Sequence, residues 1–258
     1  MQEFRQRVRS GAVQLGTFIK TPSHVVVEIL GRAGLDFAVI DGEHAPFDPE
    51  TLDRMALAAH ASRLPCLLRI PELNGAVVGQ ALDLGLSGIM VPHAKDAASA
   101  ERALAAAKYN LGERGFSPST RAGGYGAGEA AQYRAKADAE SSVWCQIEDA
   151  AALSNLDAIA AVADIDCLFL GRADLALSLG VASQKDRKVV EAVAATAAAG
   201  RRHGRAVGIY IADTAEIPDL LALGLTVFVC GSDQSYLIAQ GRRLRAELSA
   251  IGAAKPKS

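Results

Sequence analysis

The feature that most constrains the fold is a series of eight short apolar runs, separated by stretches rich in alanine and leucine. Each run is almost continuously hydrophobic, which is typical of strands buried on both faces of a parallel sheet. The runs are Val13–Ile19, Phe37–Asp41, Pro65–Ile70, Gly88–Pro92, Val143–Ile147, Cys167–Leu170, Val207–Ile211 and Val227–Cys230. They predict an α/β fold in which residues 1–258 form a single-domain (β/α)8 TIM barrel, a fold of about 250 residues. An open doubly wound sheet is the alternative, although no G-x-G-x-x-G fingerprint follows an early run.

The segments between the runs carry start and stop signals for helices. A helix is predicted over Pro22–Gly34, with Thr21 as its N-cap and proline at its first position. Helices are also predicted over Asn74–Leu84 and Thr214–Leu223, because a glycine follows each of them directly.

One connection departs from this regular alternation. Residues 112–142 form a long glycine-rich segment after the fourth run, and this segment contains Tyr125. Loops of this length in compact domains are usually functional. We therefore predict that it either covers the active site or serves as a packing or oligomer contact. Residues 251–258 are predicted to form a short C-terminal tail.

Charge and hydropathy exclude several classes of protein. The net charge is −2, with no long basic or acidic block, so nucleic acids and membrane surfaces are not expected partners. No apolar run reaches the 18 or so residues of a membrane span, and the N-terminus lacks the apolar core of a secretory signal. We therefore predict a cytoplasmic protein. The cysteines are widely spaced and are predicted to be buried thiols; they are Cys66, Cys145, Cys167 and Cys230.

Two acids mark the rim where a barrel enzyme holds its active site, at the C-terminal ends of the strands. Glu148 and Asp174 follow the fifth and sixth runs, and neighbouring strands lie about 4.8 Å apart. Two carboxylate ligands that leave other coordination positions of the metal open suit Mg²⁺ or Mn²⁺ better than zinc. The alternative is that both acids only cap the helices that follow them.

Two basic side chains belong to the same rim. Arg69 lies within a very apolar run and cannot lose its charge, so it must meet an anion. That anion is either a substrate oxygen or the acid of a structural salt bridge. His44 follows the second run, and histidine is a residue type suited to general-base catalysis near neutral pH, although an isolated loop histidine often has no such role. His93, after the fourth run, is a minor candidate.

Four strings at these strand ends together resemble the HpcH/HpaI family of class II pyruvate aldolases. The resemblance extends from about Leu15 to Asp233, and Arg114-Gly115-Phe116 with Arg121 also matches a segment of that family. The four strings are Ile40-Asp41-Gly42-Glu43-His44, Arg69-Ile70-Pro71, Gln146-Ile147-Glu148 and Gly171-Arg172-Ala173-Asp174-Leu175.

The resemblance implies a barrel that binds a divalent metal, Mg²⁺, Mn²⁺ or Co²⁺. It implies reversible cleavage of a 4-hydroxy-2-oxo acid into pyruvate, or a related 2-oxo acid, and an aldehyde. The metal serves as a Lewis acid in such chemistry. No lysine stands at a strand end in a matching context, so a Schiff-base aldolase is disfavoured. The family also suggests a homo-oligomer, commonly a hexamer, with its sites near the subunit interfaces.

The resemblance assigns a role to each matching residue. His44 matches the catalytic base, acting directly or through a water, and Arg69 matches the group that stabilises the enolate oxygen. Asp83 matches the acid that orients the histidine. The metal ligands are Glu148 and Asp174, and the substrate-binding positions are Gln146, Gly171, Ala173 and Asp174. One departure is Arg172, where the family often has proline, which leaves the aldehyde partner open.

Two other functions stay open at this point. A carbon–carbon lyase acting on a CoA thioester, like the citrate lyase β subunit, would share the barrel and the carboxylate-bound metal. It would need a basic patch for the CoA phosphates, and no dense patch is visible in the sequence. A catalytically silent barrel that serves as a binding subunit is the third possibility.

Overall fold

The computed structural model describes residues 3–253, and in this range eight parallel strands form a closed barrel in sequential order. This architecture confirms the predicted (β/α)8 fold. The predicted runs match the strands to within two residues at every boundary. The strands are β1 (Gln14–Ile19), β2 (Phe37–Asp41), β3 (Cys66–Arg69), β4 (Gly88–Val91), β5 (Ser142–Ile147), β6 (Cys167–Leu170), β7 (Ala206–Ile211) and β8 (Val227–Ser232).

Helices surround the barrel and bury their apolar faces against the strands. Short 3-10 turns at Tyr109–Leu111, Gly124–Gly126 and Thr214–Glu216 complete the described elements. The helices are α1 (Phe4–Arg9), α2 (His24–Arg32), α3 (Pro49–Ser62), α4 (Gly75–Asp83), α5 (Ala97–Ala107), α6 (Ala130–Glu140), α7 (Ala150–Leu153), α8 (Leu156–Ala161), α9 (Arg172–Ser178), α10 (Arg187–His203), α11 (Ile217–Leu223) and α12 (Asp233–Ala253).

The start of α2 differs from the prediction. The helix begins at His24 with Ser23 in extended conformation as its N-cap, rather than at Pro22 after Thr21. The cause lies in the opposite end of the chain. The Asp233 carboxylate accepts the backbone N–H groups of Lys20 and Thr21 at 2.8 and 3.1 Å, so this stretch is held outside the helix.

The segment 112–142 is not one loop, because it contains a 3-10 turn and all of α6. It connects the C-terminal end of α5 to the start of β5, and therefore lies at the N-terminal end of the barrel. There the backbone N–H of Ala122 donates to the carbonyl of Asp83 at 3.1 Å. Consequently the segment does not cover the strand ends of its own barrel, as one of our two interpretations required.

The N-terminal end of the barrel is closed by α1. Phe4 stacks inside the barrel on Trp144, with ring centroids 6.1 Å apart, and packs against Phe37 at 5.6 Å. Arg5 of the same helix forms a buried ion pair with Asp166 at 2.9 Å. With this end plugged, the open end for chemistry is the C-terminal rim.

The last helix, α12, packs differently from the others. Its main contacts with the barrel are at β1 and β8. Much of its length is solvent-exposed, including large apolar side chains such as Leu237 (73% exposed) and Leu248 (58%). Of the predicted tail, residues 251–253 belong to this helix, and residues 254–258 lie outside the described range.

The four cysteines are free thiols, and all except the partly buried Cys230 are fully buried, as predicted. Within residues 3–253, no helix is both long enough and apolar enough to cross a membrane.

Candidate active site

A cavity of about 220 Å³ opens at the C-terminal rim of the barrel. It brings together side chains or backbone from six of the predicted site residues, contributed by four different βα units. These are His44, Arg69, Gln146, Gly171, Ala173 and Asp174. The other lining residues come from the units of β1, β6, β7 and β8 and are Phe18, Lys20, Phe169, Arg172, Tyr210, Gly231 and Ser232.

Arg69 is held on the rim by Asp41, its register partner on β2. The guanidinium donates from Nη2 and Nε to Asp41 Oδ1 at 2.7 and 3.0 Å. Burial alone would raise the pKa of Asp41, but the charge and hydrogen bonds of Arg69 hold it below its usual range. Arg69 therefore forms the buried ion pair that one of our two interpretations predicted, and its side chain also lines the cavity.

The Glu148 carboxylate lies at the end of β5 and is almost fully buried, at 2% exposure. Its Oε1 accepts the backbone N–H of His93 at 2.8 Å, and its Oε2 accepts the side-chain amide of Gln146. The carbonyl oxygen of that amide is buried and has no hydrogen-bond partner. Burial raises the pKa of Glu148, and the nearby charges of Glu43 and Asp174 raise it further.

Three carboxylates thus converge on this part of the rim: Glu43, Glu148 and Asp174. Like charges that share a site repel one another, and a cation relieves that repulsion. Two ligand sets are compatible with the arrangement. The first is the predicted pair, Glu148 with Asp174 in the first turn of α9. The second combines Glu148 with Glu43 and His93, whose ligand atoms all lie within 4.8 Å of one another.

Sequence reasoning missed Glu43 and kept His93 only as a minor candidate. His93 has a left-handed backbone, with φ of 53°, and its Nδ1 lies 2.9 Å from the Asp149 carboxylate. Burial lowers the pKa of His93, but the surrounding acids outweigh this effect and raise it. Glu43 could have been found from its place two residues beyond the end of β2.

His44 lies at the mouth of the cavity, with half of its side chain exposed. Its backbone N–H donates to Asp41 at 3.1 Å, and its Nε2 lies 3.7 Å from the Glu43 carboxylate. Asp83 is not near it. Asp83 ends α4 at the N-terminal end of the barrel, where it accepts a hydrogen bond from Arg114 at 2.9 Å. Within one chain, the predicted His44–Asp83 pair is therefore not formed.

A closed parallel barrel whose rim carries acids, an arginine and a histidine defines an enzyme of the (β/α)8 class. A family model described as HpcH/HpaI aldolase/citrate lyase matches residues 14–239. The chain belongs to this family and is a carbon–carbon lyase.

The chain is also similar to individual proteins of known name or structure. A protein of Shigella boydii serotype 18 named 5-keto-4-deoxy-D-glucarate aldolase is 33% identical over 236 residues, which is 90% of each chain. A solved HpcH/HpaI aldolase/citrate lyase family protein from Burkholderia cenocepacia J2315 superposes with a TM-score of 0.90 and 31% identity, covering 96% of this chain and 100% of the other. A structure described as citrate synthase SbnG has a TM-score of 0.86 and 27% identity, covering 98% of each chain.

Proposed function

We propose that this protein is a metal-dependent class II aldolase. It reversibly cleaves a 4-hydroxy-2-oxo acid into pyruvate, or a related 2-oxo acid, and an aldehyde. The observation that carries this proposal is the buried Glu148 carboxylate, which lies beside two further acids and shares a rim with the cavity-lining Arg69. An excess of buried negative charge next to a fixed positive charge is the arrangement that an anionic, metal-chelating substrate requires.

The residues fit a divalent cation. Carboxylate oxygens are the preferred ligands of Mg²⁺ and Mn²⁺, and the unpartnered amide oxygen of Gln146 is a further neutral oxygen next to them. Glu148 and Asp174 would hold the metal, with Glu43 and His93 as the alternative partners of Glu148. When bound, the metal supplies Lewis acidity for the 2-oxo group of the substrate.

The chain's own residues stabilise charge, orient the substrate and accept a proton. Arg69 is fixed by Asp41 and places a positive charge where the oxygen of the 2-oxo group gains negative charge. Gln146 and the backbone of Gly171, Ala173 and Asp174 orient the 2-oxo acid. His44, exposed at the cavity mouth, accepts the proton of the C4 hydroxyl, directly or through a water.

The name of the Shigella relative suggests a specific compound to test. When numbered from the carboxylate next to its keto group, 5-keto-4-deoxy-D-glucarate is a 4-hydroxy-2-oxo acid. We propose it as the first substrate, with pyruvate as one product. Cleavage of its C3–C4 bond, in that numbering, leaves a three-carbon aldehyde that bears the second carboxylate.

We also propose that the enzyme works as a homo-oligomer in the cytoplasm. The exposed apolar side chains of α12 support this, because large exposed apolar patches usually mark interaction sites. The position of Asp83 supports it as well. That acid lies at the end of its own barrel opposite His44, so it can orient a histidine only on a second copy. The family resemblance suggests a hexamer. Sedimentation velocity, which reports the mass of the assembly, tests this.

Pyruvate release, coupled to lactate dehydrogenase, tests the proposed function. Purified protein is assayed with 5-keto-4-deoxy-D-glucarate after EDTA treatment, and again after addition of Mg²⁺, Mn²⁺ or Co²⁺. We expect turnover that EDTA abolishes and a divalent metal restores. A wild-type enzyme with full activity in excess EDTA would contradict the proposal. Dependence of turnover on added CoA would instead favour the CoA thioester lyase.

A further inference from the structure

Arg172 occupies an unusual place in the active-site cavity. It is the first residue of α9 and directly follows Gly171, in the turn that we propose for substrate binding. Its guanidinium lines the cavity, and 15% of its side chain is exposed.

The guanidinium is held in a defined position. Nη1 and Nη2 donate to the two oxygens of Glu216 at 2.7 and 3.2 Å, and Nη2 also donates to the carbonyl of Tyr210 at 3.0 Å. These three bonds use fewer than the five N–H donors of an arginine. The Nε–H in particular is buried and has no partner. Arg172 is therefore oriented by its neighbours but retains capacity for another acceptor.

The surroundings of Arg172 favour an anion. Its hydrogen bonds go to the Tyr210 carbonyl on β7 and to Glu216. Its ion-pair partner Glu216 is not among the residues that line the cavity. Asp174 is the only acid among the described residues that line the cavity, and we have assigned it to the metal.

A substrate that is bound by its 2-oxo acid end near Glu148 must place its other end elsewhere in the cavity. Besides Arg69, two cationic side chains line the cavity, Lys20 and Arg172. Lys20 is already paired with Asp41 at 3.2 Å, whereas Arg172 has unpaired donors. A carboxylate on the aldehyde-derived part of the substrate would satisfy them with charge-assisted hydrogen bonds.

We propose that Arg172 is a specificity-determining residue, which selects aldehydes that carry a carboxylate over neutral aldehydes of the same length. This inference rests on the proposed aldolase function and concerns the half of the substrate that the metal does not hold.

The test uses the aldol addition of pyruvate to two matched acceptors. These are 4-oxobutanoate, which carries a carboxylate, and its neutral methyl ester. The measured quantity is the ratio of kcat/KM for the acid to kcat/KM for the ester. Loss of a hydrogen bond to a charged group typically costs about 10- to 100-fold. We therefore expect a wild-type ratio above about 10 and a fall of about 10- to 100-fold in Arg172→Gln.

Three comparisons separate this role from a structural one. A purely structural defect would lower both acceptors equally and leave the ratio unchanged, which would overturn the inference. Arg202→Gln removes another ion-paired arginine, one that is exposed and bound to Asp157, and should leave the ratio at the wild-type value. Glu216→Gln keeps the cation and removes its competing acid, so a ratio at or above wild type is expected and a lower ratio would overturn the inference.

Failure of the inference is distinguishable from failure of the proposed function. Exchange of the pyruvate methyl protons with deuterated water needs the metal site but no aldehyde. If the wild-type protein with Mn²⁺ does not exchange them, the aldolase proposal fails. If exchange occurs and Arg172→Gln leaves the acceptor ratio unchanged, only the role of Arg172 is wrong. If that variant does not fold, a wild-type ratio near 1 would still overturn the inference.

Discussion

Arg69 and Asp41 form a pair in which two guanidinium nitrogens, Nη2 and Nε, donate to one carboxylate oxygen at 2.7 and 3.0 Å. Asp41 is fully buried and Arg69 is 5% exposed, so the pair is largely removed from water. The guanidinium also lies over the ring of Phe18, 4.7 Å from its centroid. These contacts fix the position of the cation before any substrate binds, which is the condition for electrostatic stabilisation of a developing negative charge.

Replacement of Arg69 by alanine should therefore affect catalysis more than binding. We expect kcat for the 4-hydroxy-2-oxo acid to fall by about 100- to 1,000-fold, the usual cost of removing one preorganised donor to an oxyanion. Steady-state kinetics of pyruvate release provide the measurement. Undiminished activity in Arg69→Ala would remove the arginine from the mechanism.

Asp41→Asn should mainly affect stability. The substitution removes the closer of the two acids that pair with the guanidinium and leaves only Glu43, at 3.2 Å. Breaking a buried pair costs up to about 3 to 5 kcal/mol of unfolding free energy. Asp157→Asn is the matched control, because Asp157 pairs with Arg202 on the surface, where an ion pair contributes about 1 kcal/mol or less. Urea unfolding of the two variants gives the comparison. Equal, small losses would show that the Asp41–Arg69 pair does not stabilise the fold.

Gly171→Ala should weaken metal binding without unfolding the barrel. A Cβ at this position would lie 2.8 Å from Glu148 Oε2 and 3.0 Å from Gln146 Nε2, so both groups would have to move. Disturbing the support of a metal ligand costs about 10- to 100-fold in affinity. Gly79→Ala is the control, since a Cβ there meets no atom within 4 Å. Calorimetric titration with Mn²⁺ distinguishes the variants, and equal affinities would contradict the geometry of the site.

Lys108 provides a prediction about pH. Burial and the nearby charge of Arg5 lower the pKa of Lys108 to about 8, whereas an unfolded chain holds a lysine at about 10.4. Between these values the unfolded state binds more protons than the folded state, so this residue makes stability rise with pH. Relative to Lys108→Met, the wild type should gain about 2.5 kcal/mol of unfolding free energy from pH 7 to pH 10. Parallel pH dependences would show that the lysine is not perturbed.

The sequence predicted the barrel well because its strands are buried on both faces and are therefore continuously apolar. The Asp41–Arg69 pair could also be predicted from the sequence, since both residues end neighbouring strands. The start of α2 was not, because it depends on Asp233, which lies 213 positions along the chain from Lys20. Contacts of that separation leave no trace in local helix signals.

Only part of the site could be predicted, because the sequence determines the direction of some side chains and not of others. Strand-end residues such as Gln146 and Glu148 have fixed directions, so their convergence follows from the barrel. Glu43 and His93 lie beyond strand ends, where the loop conformation sets their direction, as the left-handed backbone of His93 illustrates. Asp83 was assigned by resemblance alone. Its place at the end of a helix already indicates the opposite end of the barrel from His44.

The most direct test of the account is titration of the metal-free protein with Mn²⁺, combined with the exchange of pyruvate methyl protons. We predict one Mn²⁺ per chain, with affinity lowered by about 100-fold or more in Glu148→Gln and Asp174→Asn, and exchange lost together with the metal. Glu43→Gln separates the two possible ligand sets, because it should retain the metal if Asp174 is the second ligand. Glu148→Gln and Asp174→Asn proteins that bind Mn²⁺ and exchange pyruvate protons like the wild type would contradict the central claim.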